Sequence, residues 1–86
     1  MPAKKEADPL LLRFGARVKA RRIEFGWSQE DLAEAADLHR TFVVGIETGR
    51  RNPTVTSLLK LFDALDLSPN DLLTGLTPRG KGRGRS

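Results

Sequence analysis

From Pro9 onward, apolar positions recur at intervals of three and four. Leu11, Phe14 and Val18 form the stripe, Arg22 continues it, and Gly26 supplies a stop. The spacing predicts a first helix. In WSQEDL, Ser28 can cap with its hydroxyl, and Asp31 suits the positive end of a helix. Trp27 and Leu32 stand at the spacing of a hydrophobic staple, and Leu32, Ala33 and Ala36 make one apolar face. This predicts a short second helix ending near Ala36. LSPNDLL repeats the start signal, with Ser68 as cap, Pro69 at the first helical position, and Leu67 and Leu72 as staple. PTVTSLLKLFDAL offers Thr54 as cap and a face of Leu58, Leu61, Phe62 and Leu65. Helices are therefore expected at about 55–65 and 69–74.

LHRTFVVGIETGRRNP, residues 38–53, breaks the pattern. Thr41, Phe42, Val43, Val44 and Ile46 favour strands, and Gly45 weakens a helix by roughly 1 kcal/mol relative to alanine. A lone strand, however, has nothing to pair with and leaves its backbone groups unsatisfied. Helix over 40–48 is the consistent reading. On a helical wheel Val43, Ile46 and part of Glu47 fall on one side with Phe42 flanking, and Arg40, Thr41, Val44, Gly45 and Thr48 on the other. The second side has one charge, two hydroxyls, one valine and a missing side chain. A solvated face would carry more Glu, Lys and Gln, so this side looks built for close contact. Two short helices joined by Asp37-Leu38-His39 describe a helix-turn-helix.

Composition narrows the class. At 86 residues the chain suffices for one small domain. It has no cysteine, which excludes disulfides and thiolate chemistry. Apolar runs such as Leu10 to Leu12 are too short for a membrane span or signal-peptide core, so a cytoplasmic protein is expected. The pI of about 10.1 is misleading about the folded part. Arg79, Lys81, Arg83 and Arg85 hold four of the 15 bases, leaving 11 against 11 acids in the body. Distribution is more telling: Arg13, Arg17, Lys19, Arg21 and Arg22 lie close together, as do Arg40, Arg50 and Arg51. His39, the only histidine, has no carboxylate, thiol or second histidine grouped with it. No metal, cofactor, small-molecule ligand or enzyme activity is expected.

Residues 10 to 74 resemble the Cro and phage-repressor (XRE-like) class of helix-turn-helix proteins. The marks are SQEDLA opening helix 2, IETGRRNP closing helix 3, then LLKLFDAL and SPNDLL, in this order and spacing. The small size and LHRTF are similar to restriction–modification controller proteins. The resemblance implies an all-α, five-helix, lambda-repressor-like domain. It implies that Arg40 and Thr41 read base edges and that Val44 and Gly45 occupy later base-facing positions. Gln29 matches a residue that binds a phosphate and braces the recognition helix. Arg50, Arg51 and Asn52 lie in the loop that follows the DNA backbone, and Arg22 and Glu47 match a buried pair tying helix 1 to helix 3. Three positions depart from the pattern: Asp37 replaces the turn glycine, His39 a Ser or Thr cap, and Gly45 a longer polar reader.

Chemistry supports several of these roles. Arg40 can pair with guanine O6 and N7, and Val44 can touch a thymine methyl. Gln29 sits where the free N–H groups of helix 2 attract phosphate. His39 is read as a poor cap at a helix start, near phosphate, and Thr48 as a further phosphate contact. Gly45 is expected to face outward, where a Cβ would collide with DNA. Leu72, Leu73 and Leu76 exceed what the core needs and suggest a homodimer. The expected organisation is a disordered arm over 1–8, the helix-turn-helix domain over 9–76, and a basic tail over 77–86. The function that follows is regulation of transcription by a homodimer on a palindromic operator in double-stranded DNA. The rival is an antitoxin-type module that grips a protein and binds DNA secondarily.

Overall fold

The computed structural model describes residues 8–73, with the last two, Leu72 and Leu73, described in backbone only. Leu76, the expected arm up to residue 7 and the basic tail lie outside the described residues. Five helices follow in order: α1 (Pro9–Glu24), α2 (Gln29–Ala36), α3 (Arg40–Glu47), α4 (Val55–Ala64) and α5 (Pro69–Leu73). There is no strand among the described residues, and residues 40–47 are helical despite their propensity.

Local chemistry fixes each start. The Asp8 carboxylate accepts from the Leu10 N–H at 2.8 Å. Ser28 and Asp31 form a reciprocal capping box, and so do Ser68 and Asp71. The Thr54 hydroxyl accepts from the Ser57 N–H at 3.1 Å. His39 corrects the expectation of a poor cap: its Nδ1 accepts from the Thr41 N–H at 3.1 Å. A neutral imidazole with its proton on Nε2 offers that lone pair.

Helices α1 to α4 all end in the same turn. A residue at the cap of α2, or just after the cap of α1, α3 and α4, takes positive φ, and amides of the turn reach back to the last turn of the helix. Gly26 and Gly49 fill that position after α1 and α3, and Asp37 (φ 57°) and Asp66 (φ 54°) after α2 and α4. Aspartate tolerates this conformation better than most residues with a Cβ.

Phe14, Val18, Leu32, Ala33, Ala36, Val43, Ile46, Leu61, Phe62 and Leu65 form one buried core. Trp27, Leu38 and Leu67, the residues ahead of three helix starts, pack against its edge. Helix α3 packs against α1 and α2, and α4 against α2. The α1–α3 crossing is close at Gly15, where an added Cβ would collide with the Ile46 carbonyl oxygen and lie 2.8 Å from that of Glu47. With one side against α1 and α2, α3 turns Arg40 and Thr41 of its first turn away from the core.

Candidate nucleic-acid interface

The seat of α3 is polar as well as apolar. Glu47, in its last turn, is buried against Arg22 of α1. Arg22 Nε donates to Glu47 Oε2 at 2.7 Å, and Nη2 donates to Oε1 at 3.0 Å. Arg22 Nη1 donates to the Trp27 carbonyl at 2.7 Å. The hydrogen bond to Glu47 raises the Arg22 pKa above its ordinary value, against the opposing effect of burial, with charge attraction assisting. Gln29 Nε2 donates to Glu47 Oε1 at 3.1 Å, so the first residue of α2 joins the same group. Through these bonds α3 is held at a fixed angle to α1 and α2.

On the outer side, Arg40 and Thr41 are exposed and Val44 is half-buried. Arg40 Nε stands 4.0 Å from Glu30 Oε2 in an exposed pair across the neighbouring first turns of α2 and α3. His39, Thr41 and Arg51 line one open hollow together with Phe42 and Ser57. Arg50, Arg51 and Asn52 are exposed in the loop after α3. Gln29 is half-buried and engaged with Glu47 by one amide hydrogen.

Two expected contacts change character. Gly45 is buried and does not face outward, because the Arg51 side chain lies across it. An added Cβ at Gly45 would collide with Arg51 Cγ and lie 3.2 Å from its Cβ. The close approach that excludes a side chain is therefore intramolecular. The Thr48 hydroxyl donates to the Val44 carbonyl at 2.8 Å. A hydroxyl has one proton, so Thr48 can donate to a phosphate only by giving up that bond.

Three features escaped the sequence reading. Gly15 sets the α1–α3 crossing. Arg21, grouped with the basic cluster, donates from Nε to the Leu65 carbonyl at 3.0 Å and so closes the end of α4. Lys60 of α4 donates to the Asp37 carbonyl at 3.1 Å and braces the turn between α2 and α3. Each joins elements far apart in sequence, and helical spacing carries no signal for it.

Comparison with known proteins bears on this arrangement. Residues 18–72 match the family described as helix-turn-helix. The control protein C.BamHI of Bacillus amyloliquefaciens is 43% identical over 63 residues, covering 72% of this chain and 78% of its own. The crystal structure of the restriction-modification controller protein C.AhdI from Aeromonas hydrophila superposes with a TM-score of 0.70 at 44% identity, over 72% of this chain and 94% of that one. The controller protein C.Esp1396I, solved as a tetramer in complex with its natural 35 base-pair operator, gives 0.72 at 36% identity, over 80% and 91%.

Proposed function

The chain belongs to the helix-turn-helix family, and from that membership we propose that it regulates transcription by binding a palindromic operator as a homodimer. Binding to double-stranded DNA in the cytoplasm is the mechanism, without catalysis: it blocks or recruits polymerase. The carrying observation is α3 itself. Val43, Ile46 and Glu47 lock one side into the domain, while Arg40 and Thr41 stand exposed on the other. Such a helix can enter a major groove without unfolding anything behind it.

In this reading Arg40 reads a guanine, Thr41 contacts a base or phosphate, and Val44 meets a thymine methyl. Gln29, His39, Arg50, Arg51 and Asn52 follow the sugar–phosphate backbone. Gly45 is not proposed as a reader, since Arg51 covers it. The relatives are named control proteins, which favours a regulator over a protein-gripping antitoxin type.

For the dimer, the proposed contacts are Leu72, Leu73 and Leu76. Leu59, 59% exposed, lines a hollow with Phe62, Leu67 and Pro69, bordered by Asp63, Asp66 and Ser68, at the junction of α4 with α5, beside the helix that bears the first two leucines. That surface supports isologous pairing, which sets two recognition helices about 34 Å apart.

Selection of bound sites from random duplexes tests the proposal. The expected product is a palindrome with half-sites one helical turn apart. Arg40→Ala should then cost roughly 1–3 kcal/mol and relax the preference at one base pair per half-site. Selection that enriches no sequence, or sedimentation showing one monomer per site, would overturn it.

A further inference from the structure

Arg51 is the best-anchored exposed cation of the proposed interface. Its backbone N–H donates to the Gly45 carbonyl at 3.1 Å, and the Arg50 N–H donates to the same oxygen at 2.8 Å. The turn after α3 therefore folds back over the helix. The Arg51 stem crosses the bare Cα of Gly45, and its guanidinium carbon stands 5.5 Å from the centre of the Phe42 ring. Phe42 and Gly45 are three residues apart and adjacent on the helix surface. The side chain thus runs back along α3 towards its start, into the hollow shared with His39 and Thr41.

We propose that Gly45 and Phe42 are positioning residues for Arg51: the glycine seats its stem and the ring seats its guanidinium, which presents the charge to a DNA phosphate near the start of α3. The inference rests on the reading of α3 as the DNA-binding helix. A free arginine side chain loses considerable rotamer entropy when it binds. One already laid in a groove and stacked on a ring loses less, and its donors keep the fork geometry that suits phosphate. A side chain at position 45 displaces the stem, because the backbone of Arg51 is tied to Gly45 itself and cannot retreat. A glycine costs helix stability at this position, and the seat explains its presence.

The test is a mutant cycle on a short duplex recovered by the random-sequence selection, with affinity measured across salt concentrations and melting followed for each variant. Wild type must first bind that duplex with a salt dependence; if it does not, the DNA-binding reading itself fails. Arg51→Ala is expected to weaken binding roughly tenfold and to lower the salt slope by about one. Gly45→Ala is expected to do the same, and the double variant is expected to match Arg51→Ala alone. A merely structural glycine would lower melting temperature and affinity but leave the slope unchanged. Phe42→Leu keeps an apolar side chain and removes the ring, and so carries the same test should Gly45→Ala fail to fold. It should lower the slope in the wild-type background and leave it unchanged beside Arg51→Ala. Wild-type slopes in Gly45→Ala or Phe42→Leu, or losses that add to that of Arg51→Ala, overturn the proposal.

Discussion

Replacing Glu47 by alanine should destabilise this domain more than any change to its outer surface. The carboxylate accepts three hydrogen bonds, from Arg22 Nε at 2.7 Å, Arg22 Nη2 at 3.0 Å and Gln29 Nε2 at 3.1 Å. The Glu47 side chain is only 2% exposed and that of Arg22 only 10%, so water cannot replace what is lost. Arg22 would keep one bond, to the Trp27 carbonyl. Removing one partner of a buried pair costs about 3–5 kcal/mol, because the remaining charge is left uncompensated. A domain of this size has a total stability on the order of 5–10 kcal/mol. With about 4–8 °C of melting temperature per kcal/mol, the variant should melt at least about 12 °C lower, or be unfolded at ambient temperature. Circular dichroism on heating, without DNA, reads the effect. Replacing both residues by apolar ones of similar volume, Arg22→Met with Glu47→Leu, should recover much of the loss, since no charge then remains buried. A shift below about 3 °C for Glu47→Ala would mean that water reaches the pair and that the geometric argument is wrong.

Two further substitutions probe the scaffold. Gly15→Ala should lower stability by roughly 1–3 kcal/mol despite the better helix propensity of alanine, because its Cβ meets backbone of α3 that cannot rotate away; an unchanged or raised melting temperature would refute the close crossing. Asp37→Gly should raise stability by up to about 1 kcal/mol, since a left-handed residue with a Cβ is replaced by one without, and the Lys60 bond to the carbonyl of residue 37 remains available; thermal melting reads the sign, and a fall would show that the aspartate side chain contributes more than its backbone strain costs.

Much of this architecture is legible in the chain because its helix starts are chemically explicit. Ser28 with Asp31, Thr54, and Ser68 with Asp71 announce three starts, and Trp27 with Leu32 and Leu67 with Leu72 give the staple spacing at the first and last of them. The assignment of residues 40–47 needed a different argument, the absence of any partner strand, and that argument holds because unpaired backbone groups are costly. His39 was harder. Ranked cap preferences favour side-chain oxygens, and only the structure reveals that a ring nitrogen serves.

The misreading of Gly45 has a physical cause that extends beyond one residue. A helical wheel treats a helix as a cylinder standing alone. Here the turn that ends α3 sends the following residues back over its last turn, and Arg51 covers a position that the wheel assigns to solvent. The chain also turns back after α1, where the returning Trp27 offers its carbonyl to Arg22, and after α4, where the Leu67 amide reaches the Phe62 carbonyl and Arg21 of α1 takes that of Leu65. In each case the residues that decide a helix's surroundings lie just past its end or on another helix. Periodicity within the helix is blind to both. Five of the bases grouped along the chain accordingly divide by structure into two kinds. Arg21 and Arg22 are occupied in holding the fold, whereas Arg40, Arg50 and Arg51 stand exposed around the start of α3 and the loop after it. Charge counted along the chain mixes these kinds; charge sorted by hydrogen-bond partner separates the scaffold from the surface that remains available to a polyanion.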